Sequence, residues 1–370
     1  MLAITLALIA VGFVLSCPLT AWFGAWGRRR GWVEPPGPRR LHREPVAVTG
    51  GMAIFCAIVL PMGVGLVAAV TIPGPWWEAN VPAAAPHIAG VVAMTPMAIS
   101  LIACLIALHV MGLVDDRRDL GPGLKLGVEV AVAALMVVAF DVRLMDLDAV
   151  RDTVGPWPSI ALTIVWLVAI TNAFNFLDNM DGLCAGVAAI CGGLFLATAL
   201  LGEQWFVASV LALSIGAVLG FAIFNLPPAR IFMGDAGSLP LGFLVGLCAV
   251  RVTYYDAEGS GGWWAVATPV VILAIPLYDL VSVTVIRLAQ GRSPFRADTQ
   301  HFSHRLVRRG LSQRNAVMVV WACTLAAGAG GVLLARLPGW GAALVLIQCA
   351  AVLLALALLE RTSQQRREIP

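Results

Sequence analysis

Apolar runs of about twenty residues recur along this chain, each as long as a helix must be to cross the hydrocarbon core of a bilayer. Of the 370 residues, 60% are hydrophobic and only 12% are charged, where a soluble domain carries roughly twice that charge. The sequence therefore predicts an all-α polytopic membrane protein, a single integral-membrane domain over residues 1–370 without linker or repeat. Hydropathy places eleven spans at about 2–23, 50–72, 88–113, 124–140, 158–176, 183–201, 205–224, 236–253, 264–287, 315–335 and 340–359. The first is read as a retained helix: its start lacks basic residues, and Trp22, Phe23 and Trp26 make an interfacial aromatic belt at its end. All eight cysteines lie in apolar runs without a Cys-x-x-Cys pair, which marks them as small core residues.

Eleven spans put the loops alternately on two sides. One side, with the C-terminal tail, collects 20 of the 24 Lys and Arg residues; the other holds Arg143, Arg151, Arg251 and Arg336. The positive-inside rule makes the rich side cytoplasmic, with the N-terminus outside and the C-terminus inside. Asp115, Asp116, Asp119, Asp178, Asp181, Asp235 and Asp298 share that side, as does the basic loop 288–314 with the His301/His304 pair.

Polar groups at the ends of apolar runs are costly unless they are used. Adjacent Asp115 and Asp116 repel unless a cation or a phosphate-bound partner intervenes. The stretch Asn172-Ala-Phe-Asn175-Phe-Leu-Asp178-Asn179-Met-Asp181-Gly182-Leu spaces its polar residues i, i+3. If the helix continues, the four share roughly one face, whose oxygens suit Mg²⁺. Simple capping needs one such residue, not four. Gly182 would permit a sharp exit into the next span. Pro227 and Pro228 break a helix before Gly234-Asp235-Ala-Gly237-Ser238, whose backbone N–H groups favour phosphate, while Asn225 flanks it and Phe232 could stack on a base. Arg296, His301 and His304 suit a diphosphate; zinc lacks a third close ligand. His42, within the basic segment Arg39 to Arg43, could meet an anionic lipid. Asp279 is a support residue with an arginine of the following loop as its expected partner, and no P-loop is present.

These motifs, in this order from about Arg39 to Leu306, resemble the polyprenyl-phosphate N-acetylhexosamine-1-phosphate transferases of glycosyltransferase family 4. The Arg40-Leu-His42-x-x-Pro45-Val46…Gly50-Gly51 segment resembles the undecaprenyl-phosphate N-acetylglucosaminyl 1-phosphate transferase branch more than the muramoyl-pentapeptide branch. Two departures stand out. Asn179 occupies the family's usual glycine in Asp-Gly-x-Asp-Gly, tolerable if the turn takes positive φ, which Asn can visit. Ser303 replaces the middle histidine of His-x-His-His.

The resemblance implies an enzyme that moves a sugar-1-phosphate, N-acetylglucosamine-1-phosphate by preference, from a UDP-N-acetylhexosamine to undecaprenyl phosphate or a similar lipid, releasing UMP and starting a cell-envelope glycan. It implies Mg²⁺, with Mn²⁺ as a substitute, held by Asn175 and Asp235. Asp115 and Asp116 would be catalytic, one orienting or deprotonating the lipid phosphate. Asp181, Asn225 and Phe232 would hold the uridine, with Asp178 beside them; Arg296, His301 and His304 would contact diphosphate or sugar. It further implies a bacterial-type cytoplasmic (inner) membrane, a cytoplasmic active site, a homodimer as one option, and no nucleic-acid partner. The alternatives are a phospho-N-acetylmuramoyl-pentapeptide transferase, a transporter, which would want mid-bilayer charges and symmetric repeats, and a CDP-alcohol phosphotransferase, whose pattern fails at Gly186.

Overall fold

The computed structural model describes residues 2–35, 45–144, 152–252, 262–293 and 300–361. His42, Arg296 and Asp298 lie outside them. The described chain is helical apart from a two-residue antiparallel ribbon, β1 (Val33–Glu34) with β2 (Val46–Ala47). The principal helices are α1 (Leu2–Arg29), α2 (Gly50–Thr71), α3 (Thr95–Asp115), α4 (Pro122–Phe140), α5 (Trp157–Leu177), α6 (Leu183–Leu201), α7 (Trp205–Asn225), α8 (Asp235–Arg251), α9 (Ala274–Ala289), α10 (Phe302–Arg308), α11 (Gln313–Gly328) and α12 (Gly339–Arg361).

Among the described residues nine helices are long and apolar enough to cross a membrane: α1 to α7, α11 with its continuation to Arg336, and α12. The two remaining expected spans take other forms. Residues 236–253 form α8, of only 17 residues. Residues 264–287 form a broken element in which Trp263–Ile272 meets α9 at 69°. Pro276 explains the break, because it has no N–H for the Ile272 carbonyl and its ring crowds that oxygen. The expected span 88–113 is likewise divided into Ile88–Ala93 and α3, which begins beside Pro96.

Residues such as Leu6, Val14, Val64, Val138, Val165 and Ile347 remain exposed on the helix surfaces, as a lipid-facing bundle requires. Inside, the helices approach through small residues. A Cβ on Gly216 of α7 would lie 2.1 Å from the Ile9 carbonyl oxygen of α1, so these two backbones pack directly. α8 sits at the centre: every residue from Ala236 to Val250 is buried. All eight cysteines are free.

Three helix pairs are joined by short turns at one end of the bundle. The α3–α4 turn closes at Gly121, with φ +70°, and Pro122 starts α4. The α5–α6 turn closes at Gly182, φ +74°, and the α7–α8 turn at Gly234, φ +70°. Gly182 thus makes the sharp exit its position suggests. β2 reaches the same end: Ala47 bridges Ile231, and Gly50 and Gly51 donate to the Phe232 and Met233 carbonyls at 2.9 Å.

Candidate active site

The three turns carry the polar groups to one place. Asp116, just after α3, accepts the backbone N–H groups of Asp235 at 2.9 Å and Ala236 at 3.2 Å. It thereby satisfies the start of α8 from outside that helix. The fit is close enough to demand glycine on both sides: a Cβ on Gly234 would lie 2.6 Å from the Asp116 carboxylate, and one on Gly112 would lie 2.4 Å from the Ala236 nitrogen. Burial, then the Asp235 charge, pushes Asp116 up to about 7.

Asp115 faces the other way. Its Oδ1 accepts the Leu120 N–H at 3.0 Å, and its Oδ2 pairs with the Lys125 ammonium at 2.9 Å. The same ammonium pairs with Asp235 Oδ2 at 2.6 Å. Asp235 Oδ1 accepts from Asn175 Nδ2 at 2.7 Å, and that amide also reaches Ser238 Oγ at 3.0 Å. Asp115, Lys125, Asn175, Asp235 and Ser238 therefore form one connected group drawn from α3, α4, α5 and α8.

Lys125 is the residue that sequence reasoning passed over, because it served only in the orientation count. A signal was present: it is the single lysine among 24 Lys and Arg residues. One turn along α4, buried Glu129 accepts a hydrogen bond from Asn172, which also donates to Val168 O at 2.9 Å.

The shared face expected for Asn172, Asn175, Asp178 and Asp181 does not form. α5 ends at Leu177, and Asp178, with φ −79° and ψ +44°, leaves the helix. Asn172 turns to α4 and Asn175 to α8. Asp178 accepts the Gly234 N–H at 2.9 Å, and Asp181 the Ala229 N–H at 2.9 Å. Burial pushes Asp178 up to about 8. Asn225, 3% exposed, spends its amide on the backbone, accepting from Gly182 N at 3.0 Å and donating to Ile231 O at 2.8 Å. It locks the α5–α6 turn to the α7–α8 turn. Phe232 is half-buried in the same strand-like segment, its N–H on the Ala47 carbonyl.

A second cluster adjoins the first through Phe176, the neighbour of Asn175. The Phe176 ring meets the His301 ring edge-on at 5.2 Å, and the Arg287 guanidinium lies 5.1 Å from its centroid. His301 Nδ1 is 2.9 Å from Asp279 Oδ2, and the Phe302 N–H donates to Asp279 Oδ1 at 2.6 Å. Asp279, 1% exposed, thus has a histidine and a backbone amide as partners where an arginine was expected. Arg305 donates to Ser282 Oγ at 2.7 Å, and half-buried His304 lies on the same short helix. His109 is stacked on Phe55 with centroids 4.0 Å apart, its Nδ1 2.7 Å from the Ala236 carbonyl oxygen.

Among the described residues no three His, Cys, Asp or Glu side chains converge as a metal-holding group. The chemistry of the first cluster nonetheless suits a hard divalent cation with few protein ligands. Turning the Asn175 amide over would direct its carbonyl oxygen to the spot that Asp235 Oδ1 already faces, giving two oxygens and leaving the rest to water and phosphate.

Fold and cluster together define a polytopic membrane protein with carboxylates, an amide and one lysine ammonium gathered at one end of its helices. The sequence model of glycosyl transferase family 4 matches residues 98–253, and the chain belongs to that family. It is 31% identical, over 79% of its length and 74% of the relative's, to a probable undecaprenyl-phosphate N-acetylglucosaminyl 1-phosphate transferase of Bacillus subtilis. A decaprenyl-phosphate N-acetylglucosaminephosphotransferase of Mycobacterium tuberculosis is 31% identical, over 81% of this chain and 76% of that one. The Escherichia coli K12 undecaprenyl-phosphate alpha-N-acetylglucosaminyl 1-phosphate transferase is 27% identical, over 82% and 77%.

Proposed function

We propose that this protein transfers N-acetylglucosamine 1-phosphate from its UDP-activated form to a polyprenyl phosphate. The acceptor phosphate oxygen forms a bond to the β-phosphorus, the bridge to the α-phosphate breaks, and UMP leaves with the bridging oxygen. The observation that carries this reading is the group Asp115, Lys125, Asn175 and Asp235, in a chain whose relatives are named for this transfer.

Phosphoryl transfer asks a protein chiefly for positioning and neutralisation of charge. Lys125 supplies a compact cation, with Asp115 and Asp235 holding it in place. A phosphate monoester has a second pKa of about 6, so the acceptor's attacking oxygen is already unprotonated at neutral pH. Asp115 therefore orients Lys125 and the acceptor more than it removes a proton. Asp116 holds the start of α8 beneath them. Asn175 and Asp235 would hold Mg²⁺, or Mn²⁺, which supplies further neutralisation of the diphosphate. Asp181 and Phe232 would border the nucleotide, with Asp178 and Asn225 fixing the turns around it; His301 and His304, with Arg296, would contact the diphosphate or sugar, and His42 would contact the lipid headgroup.

Adding α8 and the bent Trp263–Ala289 pair to the nine long helices supports eleven spans. With the basic-residue count this favours an outer N-terminus, a cytoplasmic site and the inner membrane of a bacterial-type cell. The test is purified protein with Mg²⁺, undecaprenyl phosphate and a panel of UDP-sugars, scored for UMP. Release with UDP-N-acetylglucosamine is the expected result. Release only with a UDP-muramoyl-pentapeptide, or solute flux without UMP, overturns the reading.

A further inference from the structure

α10 has seven residues, too few to hold its own position in the absence of anchors. Asp279 and Ser282 tie it to α9 through His301, Phe302 and Arg305. A different contact ties it to the turn that carries Asp178 and Asp181. Ser303, 2% exposed, donates from Oγ to Asn179 Oδ1 at 2.7 Å. The other end of the Asn179 amide donates to the Phe176 carbonyl at 2.5 Å, so its own carbonyl is aimed by the end of α5. Asn179 does not take a positive φ, so the left-handed turn that would make asparagine a stand-in for glycine is not used there, and the side chain is what the position uses. Asn179 and Ser303 are the two positions at which the chain departs from the motifs it resembles, and they meet each other.

We propose that Asn179 and Ser303 form a positioning bridge that registers the histidine-bearing helix α10 against the α5–α6 turn, and so sets how His301 and His304 face the donor. The inference rests on the transferase reading. The bridge is neutral and half-buried, with Ser303 its buried end, and a neutral pair is directional and insensitive to salt. It joins segments 124 residues apart at the point where Phe176 already touches the His301 ring. It acts through the histidines and does not itself meet the substrate.

A double-mutant cycle on full-length protein tests it, with Ser303→Ala, Asn179→Ala, the double variant and Ser303→Thr. Each alanine variant should raise the KM for UDP-N-acetylglucosamine about fivefold, the scale of one lost hydrogen bond, with kcat within about twofold. The double variant should be no worse than the more damaging single, and Ser303→Thr, which keeps the hydroxyl, should return to within about twofold of wild type. A double variant whose KM effect is the product of the singles overturns the bridge, as do singles with wild-type KM. The same cycle read in melting temperature tests the contact without turnover, and additive shifts there also overturn it. A wild-type protein that releases no UMP overturns the transferase reading, while the thermal cycle still decides the bridge.

Discussion

Asp115 and Asp235 share a single ammonium, whereas Asp279 divides its two oxygens between an imidazole and a backbone N–H. The difference separates two kinds of polar cluster at one end of the same bundle. Around Lys125, negative charge exceeds positive: Asp115, Asp116, Asp178 and Asp235 gather near one lysine, and burial raises Asp116 and Asp178 toward neutrality. Such a group gains from an added cation and from a polyanion that brings one along. Around His301 the contacts are matched in pairs, and the apparatus reads as a scaffold for two imidazoles. One cluster is built to receive charge and the other to hold shape, so they should break in different ways.

The largest effect is expected at Asp235. Asp235→Asn should lower UMP release by about a thousandfold or more, with insertion and melting temperature retained; turnover near wild type would overturn the proposed role of Asp235 in holding a metal. Next comes Lys125→Ala, with kcat lower by about a hundredfold. Lys125→Arg should recover little of it, because a planar guanidinium cannot place one compact charge between two carboxylates. Full recovery in the arginine variant would show that charge alone suffices. In the matched cluster, Asp279→Asn keeps an acceptor for the Phe302 N–H and should cost about tenfold, chiefly in donor KM. A loss as deep as that of Asp235→Asn would erase the contrast. The smallest catalytic effect belongs to Asn225→Ala. It leaves the Gly182 N–H and the Ile231 carbonyl unpaired, at about 2 kcal/mol or more of stability, visible as a lower melting temperature with kcat of the folded protein within about threefold. A raised donor KM at unchanged melting temperature would return Asn225 to the nucleotide.

The apolar runs made the helices legible, because a lipid-spanning backbone has few alternatives. The loop parity that put Asp115, Asp178, Asp181 and Asp235 on one side agrees with the end of the bundle where the turns converge. Finer placement was hidden for physical reasons. Residues three apart on a helix point about 60° from each other, so Asn172 and Asn175 address different neighbours, α4 and α8. The end of α5 at Leu177 is set by what Asp178 binds across the bundle, and no local propensity reports that. Lys125 was hidden by its proximity to a membrane edge, where basic residues have an ordinary explanation. Its rarity in an arginine-rich chain was the better clue. Asn179 and Ser303 read as two separate losses in the sequence, and only contact across 124 residues makes them one feature.

The burial of α8 also bears on how the protein is made. With 17 residues, an aspartate at its first position and Pro240 within it, α8 is a poor candidate for insertion on its own. Its neighbours α3 and α5 precede it in the chain, so the ribosome delivers the seat before the occupant, and Asp116 is waiting for the first two amides of the arriving helix. A chain shortened after α8 should therefore already hold it in place, whereas one whose α3 fails to insert should leave α8 to quality control.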